Sequence, residues 1–311
     1  MSICLVEKVE ICYTGLVVYS KTQKFQPNIA ARYSYMSKNL TESEKILYNL
    51  SNNLRMILTS LTTSFALLCS KIDFENDNNR KKVEDYISIT NRAIYRLIRV
   101  AENLNLYGLI ISDELSSKLK LKKIYPEEFC LDLVSRLEYL AETIGINIKF
   151  EGTSKGAVID ADPALLETAL LQLISNAFKS TPKGETVTLR VKSASENIIF
   201  SVRDSGKGIS PDMYSRLFSN NTPLVSSDIN ENGELGVGLF IVKAITDLHK
   251  GQVMILNLPE GGAEVTLSFP IASGNNVLRA PSPLIPSGFP SELVQLSNLL
   301  PFNAFERKML D

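Results

Sequence analysis

Apolar residues recur at three- and four-residue steps in two long stretches of the chain, which predicts two amphipathic helices. The first stretch covers residues 46–68 and follows a capping box formed by Thr41 and Glu44. The second covers residues 83–107, and a short polar segment separates the two. Their order predicts an antiparallel hairpin over residues 41–112. Because one hairpin leaves a wide apolar stripe uncovered, we expect two copies to pair into a four-helix bundle.

The chain beyond residue 112 mixes short alternating segments with helices that begin at proline. Pro126 and Pro163 each suit a first helical position, Asp162 suits an N-cap, and Gly145 closes the first of these helices. The predicted strands cover 119–124, 146–150, 157–159, 187–191, 198–202, 252–256 and 264–269, and the predicted helices cover 126–144, 162–179 and 239–248. This order predicts an α+β fold in which the hairpin precedes an α/β sandwich of mostly antiparallel strands with helices on one face.

Charge and hydropathy limit the partners that the chain can have. Its 311 residues include 33 basic and 34 acidic side chains, a net charge of −1, whereas a non-specific nucleic-acid binder carries a positive excess. The apolar runs fall short of the ~20 residues that cross a bilayer, and the first residues do not resemble a secretory signal. We therefore expect no nucleic-acid partner, no membrane span and a cytoplasmic location.

The changes in pattern predict four segments. Residues 1–40 form an N-terminal extension of unknown role, 41–112 the dimerisation hairpin, 113–273 the α+β domain and 274–311 a proline-rich tail. Within the tail, apolar residues between 291 and 305 predict a short helix. This helix docks on its own domain or recognises another protein, and docking on its own domain is the favoured alternative.

Few residues offer metal or nucleophilic chemistry. The four cysteines match no zinc or redox spacing and are predicted to be reduced thiols; they are Cys4, Cys12, Cys69 and Cys130. The single histidine, His249, is predicted to be a core or turn residue. Any mechanism that needs a histidine of this chain would have to use it.

One predicted helix of the second half carries an unusual row of polar side chains. Gln172, Asn176 and Lys179 lie four and three residues apart, so they share one face of an otherwise apolar helix. Two amides and an ammonium group in line suit a metal ion and phosphates.

Two glycine-containing segments follow this helix. In V-R-D-S-G-K-G-I, Asp204 ends a predicted strand, and Gly206 and Gly208 leave bare backbone beside it. A carboxylate in this setting can accept an exocyclic amine while a planar ring lies close. The second segment, G-E-L-G-V-G-L at residues 233–239, opens a helix, and its glycines present backbone N–H groups to phosphate.

The order of these segments resembles that of the sensor histidine kinases over residues 41–271. L-E-T-A-L-L-Q-L-I-S-N-A-F-K-S-T is similar to their N box, V-R-D-S-G-K-G-I to their G1 box, residues 216–218 to a shortened F box, and G-V-G-L-F-I-V-K to their G2 box. The hairpin resembles their dimerisation and phosphotransfer domain. The resemblance implies an ATPase domain of the histidine kinase and gyrase type, which holds its nucleotide in a Bergerat-type pocket.

By motif position, the resemblance also implies roles for single residues. Asn176, with Gln172 beside it, would hold a magnesium ion, Lys179 would meet phosphate, Asp204 would accept the adenine amine, and residues 219–235 would form the lid over ATP or ADP. The pocket would be lined by Gly206, Gly208, Gly236, Gly238 and Leu239.

The chain departs from the family at the residue that accepts phosphate. The family box resembles S-H-E-L-R-T-P-L, whereas residues 51–58 here are S-N-N-L-R-M-I-L, with Asn52 in the place of the histidine. An amide nitrogen is not a nucleophile at neutral pH because its lone pair is delocalised. We therefore expect no catalytic residue on the hairpin and no autophosphorylation there.

The lid is a second departure. No lysine or arginine occurs between Arg216 and Lys243, although family lids usually offer the triphosphate a cation. Lys179 and the magnesium ion would have to neutralise most of the phosphate charge, so the sequence predicts weak or ADP-like binding.

The leading hypothesis is a histidine-kinase-like signalling protein that binds nucleotide as a pseudokinase. It would form a homodimer through residues 41–112 and bind a response-regulator-like or other signalling protein. One alternative is an active ATPase, or a kinase that phosphorylates a histidine on a partner in trans. Another is a dimeric scaffold without nucleotide.

Overall fold

The computed structural model describes residues 54, 56–61, 63–65, 67, 77–154, 156–209, 237–272 and 289–305. The helices are α1 (Asp77–Ile111), α2 (Pro126–Thr143), α3 (Pro163–Ser180), α4 (Gly238–Leu248) and α5 (Ser291–Leu296). The strands are β1 (Lys122–Ile124), β2 (Asn147–Thr153), β3 (Ile159–Ala161), β4 (Thr186–Ala194), β5 (Asn197–Arg203), β6 (Gln252–Asn257) and β7 (Ala263–Pro270). The predicted α+β class is confirmed.

The described residues between 54 and 67 are also helical, and they contact α1. Thr90 Oγ1 on α1 donates a 2.8 Å hydrogen bond to Ser64 Oγ on the earlier helix. Ile57 and Ala93 are buried. The two predicted amphipathic stretches are therefore helical wherever the structure describes them. Of all the described helices, none is long and apolar enough to cross a membrane.

Five strands form the main sheet in the order β2-β4-β5-β7-β6. β2 runs parallel to β4, and the other neighbours are antiparallel. Alternate residues of β7 are buried, as expected when one face of a sheet packs on helices. On that covered face, the rings of Phe200 and Phe269 meet edge to face with centroids 5.5 Å apart.

Helix α3 lies at the centre of the covered face. It packs against the sheet, α4 and α5, and for this reason it is apolar on more than one side. Its start follows the sequence signal, because Asp162 Oδ1 accepts the N–H groups of Ala164 (3.1 Å) and Leu165 (3.3 Å) ahead of Pro163. Helix α2 begins at Pro126, as predicted, and packs on β2 and β4.

Two strands begin two or more residues later than predicted. The segment predicted over 119–124 is a strand only from Lys122, because a 3-10 turn precedes it and the Lys120 N–H donates to Asp162 Oδ2 instead. The strand predicted over 157–159 is Ile159–Ala161. Its antiparallel pairing with β1, which places Ile124 opposite Ile159, sets that register.

The tail docks on its own molecule between residues 289 and 305, which was the favoured alternative. Helix α5 contacts α1 and α3, and a 3-10 turn at Phe302–Phe305 lies against α1. The buried apolar side chains of the tail are Leu293, Val294, Leu296, Leu300, Ala304 and Phe305.

Candidate functional site

Asp204 lies at the end of β5, and only 9% of its surface is exposed. Its Oδ1 accepts two backbone N–H groups, from Gly206 at 2.8 Å and from Ala263 at 3.3 Å. Within the described part of the chain, Oδ2 accepts no hydrogen bond. Burial raises the pKa of this carboxyl above its ordinary value of 3.8, and the two backbone N–H groups act in the opposite direction. One oxygen of Asp204 therefore anchors the loop, and the other is available to a ligand.

The loop after Asp204 lies directly on the end of α3. A Cβ at Gly206 would come within 2.6 Å of both Cβ and the carbonyl oxygen of Ser180, so no larger residue fits without movement. Gly208 has a φ of +78°, which favours glycine. The close approach of this loop to α3 explains the glycine of the predicted motif.

Asn257, at the end of β6, holds the same loop from its other side. Its side-chain amide forms two hydrogen bonds with the backbone of Ile209, accepting the N–H at 2.8 Å and donating to the carbonyl at 2.9 Å. Sequence analysis missed this residue. Its only local signal is an asparagine at a strand end, where such side chains commonly bond to backbone.

Helix α4 meets α3 at the second glycine motif. A Cβ at Gly238, the first residue of α4, would lie 2.9 Å from Gln172 Oε1. The Nε2 atom of Gln172 donates a 2.8 Å hydrogen bond to Asn103 Oδ1 on α1, and both side chains are buried. The N-cap of α4 is Val237, whose side chain cannot satisfy the first N–H groups of the helix.

The predicted polar face of α3 lies between these two contacts. Gln172, Asn176 and Ser180 are four residues apart, so they follow one another along one face of the helix. Gln172 touches the Gly238 backbone, Ser180 touches Gly206, and Asn176 lies one turn from each. Asn176 and Lys179 are both partly exposed. The structure thus brings the described residues of all three motifs to one side of α3.

The single histidine has a structural position. His249 is buried, its Nε2 accepts the N–H of Asp162 at 2.9 Å, and its Nδ1 lies 2.7 Å from the Ile245 carbonyl oxygen. It joins the end of α4 to the start of α3, as expected of a core or turn residue.

Several predicted features lie outside the described residues. They are Asn52, Gly236, the F box at 216–218 and the lid at 219–235. Their roles stay predictions.

Comparison with known proteins agrees with this arrangement. Residues 161–273 match the family described as Histidine kinase-, DNA gyrase B-, and HSP90-like ATPase. The sensor protein KdpD of Clostridium acetobutylicum is 25% identical over 229 residues, and the sensor histidine kinase CusS of Escherichia coli K12 is 25% identical over 221 residues. Residues 161–273 therefore carry an ATPase domain of this family, and the chain is similar to sensor histidine kinases. ATPase domains of this family bind ATP or ADP, typically with Mg²⁺.

The match to these sensor histidine kinases is partial in length. It covers 72% of this chain but 24% of KdpD, and 71% of this chain but 44% of CusS. A third relative, the sensor-like histidine kinase SenX3 of Mycobacterium tuberculosis, is 31% identical over 45% of this chain and 34% of its own length. The chain thus spans less than half of each of these three relatives.

Solved histidine kinase structures share the fold. Acinetobacter baumannii histidine kinase AdeS aligns with a TM-score of 0.50 at 19% identity, over 71% of this chain and 98% of that one. Full-length ShkA in complex with AMPPNP aligns with a TM-score of 0.53 at 23% identity, over 78% of this chain and 48% of that one. At these identities the likeness concerns the fold alone.

Proposed function

We propose that this chain is a nucleotide-binding, histidine-kinase-like signalling protein that does not phosphorylate its own hairpin. The observation that carries the proposal is Oδ2 of the buried residue Asp204, which accepts no hydrogen bond from the described residues and lies beside the bare backbone of a glycine loop. Such an oxygen accepts the exocyclic amine of adenine, and Gly206 and Gly208 let the loop beside it pack closely against Ser180 and Asn257.

The helix face between the two glycine loops suits Mg²⁺ and phosphates. Among the described residues, no group of three or more His, Cys, Asp and Glu side chains could hold a metal alone. Mg²⁺ accepts a few protein oxygens together with substrate phosphates, so the Asn176 amide oxygen is the proposed protein ligand. Gln172 is the second predicted ligand, although its Nε2 is already bonded to Asn103. The ion would neutralise phosphate charge at this face.

The start of α4 is the proposed phosphate contact. Its first N–H groups are not capped by the Val237 side chain, and the positive end of the helix dipole favours an anion there. Gly236, Gly238 and Leu239 are the proposed backbone contacts, and Lys179 would supply the cation.

The first hairpin helix carries no group that can accept the γ-phosphoryl group by the family chemistry. Asn52 stands at that position, and the chain has one histidine, which caps a turn inside the ATPase domain. Signalling would then depend on nucleotide binding and on partners of the hairpin.

Exposed apolar side chains on the hairpin support the predicted homodimer. Leu58 and Phe65 lie seven residues apart on the first helix, as do Ile87 and Ile94 on α1, and all four are exposed. A seven-residue spacing is typical of helix faces that pair in bundles. Histidine kinases typically dimerise and signal to response regulators. We therefore propose that residues 41–112 form the dimer and offer a surface to a response-regulator-like protein.

Calorimetric titration with ATP and Mg²⁺ tests the nucleotide site. We expect saturable binding that Asp204→Asn removes, because the amide nitrogen of asparagine donates where the amine needs an acceptor. Asp160→Asn is the matched control, since Asp160 is an exposed aspartate on β3 that pairs with Lys123 of β1. Absence of binding by the native protein up to millimolar nucleotide would overturn the proposal in favour of a scaffold.

A phosphorylation assay tests the pseudokinase part. With γ-labelled ATP, we expect no label on the purified chain, even at nucleotide concentrations that saturate the site. Stable label on the hairpin would contradict the proposed role of Asn52. Label on an added histidine-containing partner would favour the alternative of transfer in trans.

A further inference from the structure

The C-terminal segment 289–305 lies between α1 and the ATPase domain and contacts both. We propose that this segment, called the strap below, locks the ATPase domain onto α1 and that its release frees the domain to pivot. The proposal goes beyond nucleotide binding and does not depend on it.

Two arginines of α1 hold the middle of the strap. Arg92 donates from Nε to the Ser297 carbonyl oxygen and from Nη2 to the Asn298 carbonyl oxygen, both at 3.3 Å. Arg96, one turn later, donates from Nε to Asn298 Oδ1 at 2.8 Å. A guanidinium group stays charged and its donors are rigidly spaced, so these bonds fix both the position and the direction of the strap.

Aromatic rings hold the two ends of the strap against the same part of α1. The ring of Tyr95 packs edge to face on Phe289, with centroids 5.4 Å apart, and tilted on Phe305, with centroids 5.2 Å apart. Asn91 Nδ2 donates to the Phe305 carbonyl oxygen at 3.2 Å. One turn of α1 thus contacts the first residue, the middle and the last residue of the strap.

A partly buried ionic cluster joins the strap to the ATPase domain. Arg136 on α2 pairs with Glu292 of the strap at 2.7 Å and with Glu167 of α3 at 3.0 Å. Ser291 Oγ donates to the same Glu167 at 2.5 Å. Glu167 is almost fully buried, and its Oε1 accepts hydrogen bonds from Arg136 of α2 and from Ser291 of the strap.

The strap is largely apolar, so its apolar side chains favour burial over exposure to water. Its sequence, F-P-S-E-L-V-Q-L-S-N-L-L-P-F-N-A-F, contains a single charged residue, Glu292. The side chains of Leu293, Leu296, Leu300 and Phe305 are almost entirely buried between α1 and the domain. The strap therefore makes apolar contacts with both α1 and the domain, and these contacts stabilise their association.

The strap supplies a second point of attachment. Direct contacts between α1 and the ATPase domain include the Asn103–Gln172 hydrogen bond and the rings of Tyr107 and Phe240, 5.6 Å apart. These lie in the last third of α1, roughly 16–22 Å along the helix axis from Arg92. A domain held only near the end of a helix can pivot there, whereas one held at two separated points cannot.

Hydrogen exchange and small-angle X-ray scattering on the full chain without nucleotide test the strap. We expect Arg92→Ala/Arg96→Ala to speed amide exchange in residues 289–305 about tenfold or more, since it removes three bonds from charged donors. We also expect the radius of gyration to increase. The matched control is Arg190→Ala, which removes an arginine paired with Glu151 on the sheet. Protected amides in β4 and β5 would show that the variant is folded.

Charge reversal at the contact of the strap with the ATPase domain gives an independent variant. Glu292→Lys places a cation against Arg136 and is expected to release the strap with the same two signatures. Unchanged exchange of the strap in both variants would overturn the proposal. Faster exchange with an unchanged radius of gyration would also overturn it, because the strap would then be a peripheral segment that does not hold the domain.

Discussion

Gln172 on α3 and Asn103 on α1 share a buried 2.8 Å hydrogen bond between their side-chain amides. The remaining oxygen of Gln172 faces the backbone of Gly238 at the start of α4. One amide thus touches three helices, and it connects the hairpin to the proposed phosphate contact. Glutamine is one methylene longer than asparagine, and this length allows the Gln172 amide to reach α1.

The Gln172–Asn103 bond predicts an energetic coupling between α1 and α3. Asn103→Ala leaves the Gln172 amide buried without its partner, so we expect the free energy of unfolding to fall by about 1–3 kcal/mol. Urea denaturation of Asn103→Ala, Gln172→Ala and the double variant measures the coupling in a double-mutant cycle. Losses that add to within about 0.3 kcal/mol would show that the bond contributes no coupling.

The raised pKa of Asp204 predicts that nucleotide binding weakens in mild acid. The carboxylate form is the proposed acceptor for the adenine amine, and burial raises the pKa of Asp204 above the ordinary aspartate value of 3.8. Titrations with a fluorescent ATP analogue from pH 8 to mildly acidic pH should show affinity falling as Asp204 gains its proton. An affinity that stays constant down to the pH at which the protein unfolds would contradict this role.

The same carboxyl affects the stability of the unliganded protein in the opposite direction. Because its pKa is higher in the folded chain, the folded state binds a proton at a pH where the unfolded state does not. The contribution of Asp204 to the free energy of unfolding therefore rises as pH falls through that window. Asp204→Asn keeps an oxygen for the Gly206 and Ala263 N–H groups, so we expect it to remove this dependence without unfolding the loop. Denaturant midpoints across the same pH range provide the measurement.

The contact between Gly206 and Ser180 predicts a sharp difference between two glycine substitutions. Gly206→Ala forces its methyl group against the end of α3 and should lower the free energy of unfolding by about 1–3 kcal/mol. Gly108→Ala is the control, because Gly108 lies in α1 with no atom within 4 Å of an added Cβ. There we expect a gain of about 0.5–1 kcal/mol from helix propensity. Equal effects in urea denaturation would contradict the close packing of the loop.

The exposed face of the hairpin predicts how the dimer can be broken. Phe65→Lys together with Ile94→Lys places charges on the proposed interface. At micromolar concentration, light scattering should report a dimer for the native chain and a monomer for the variant. Met254→Lys is a matched control, since Met254 is 66% exposed on the sheet edge. A native chain that is monomeric at this concentration would exclude the dimer.

Local signals in the sequence predicted most helices and strands, but they could not predict contacts between residues that are distant in the sequence. Pro126 and Pro163 mark helix starts correctly because capping depends only on neighbouring residues. The strand before Pro126 is shorter than its alternation predicts because Lys120 bonds to a distant aspartate. The order of the sequence motifs is the signal that predicted Asp204 and the glycines after it as site residues.

The missed residues of the site act across the fold. Asn257 binds a loop that precedes it by almost fifty residues, and Asn103 meets α3 only after the hairpin and the domain have docked. Periodicity reports the face on which a residue lies, and it carries no information about the partner on the opposite element. Such pairs become visible only when both elements are placed.

The pairing of β5 with β7 has a consequence for synthesis of the chain. β4 and β5 are joined by a two-residue turn, at which Ser195 has a φ of +54°, so this ribbon can form as soon as it leaves the ribosome. Asp204 receives the N–H of Ala263 only after β7 has been made and has paired beside β5. The proposed nucleotide pocket is therefore completed late in synthesis, so ATP bound there would stabilise the finished domain rather than an intermediate of translation.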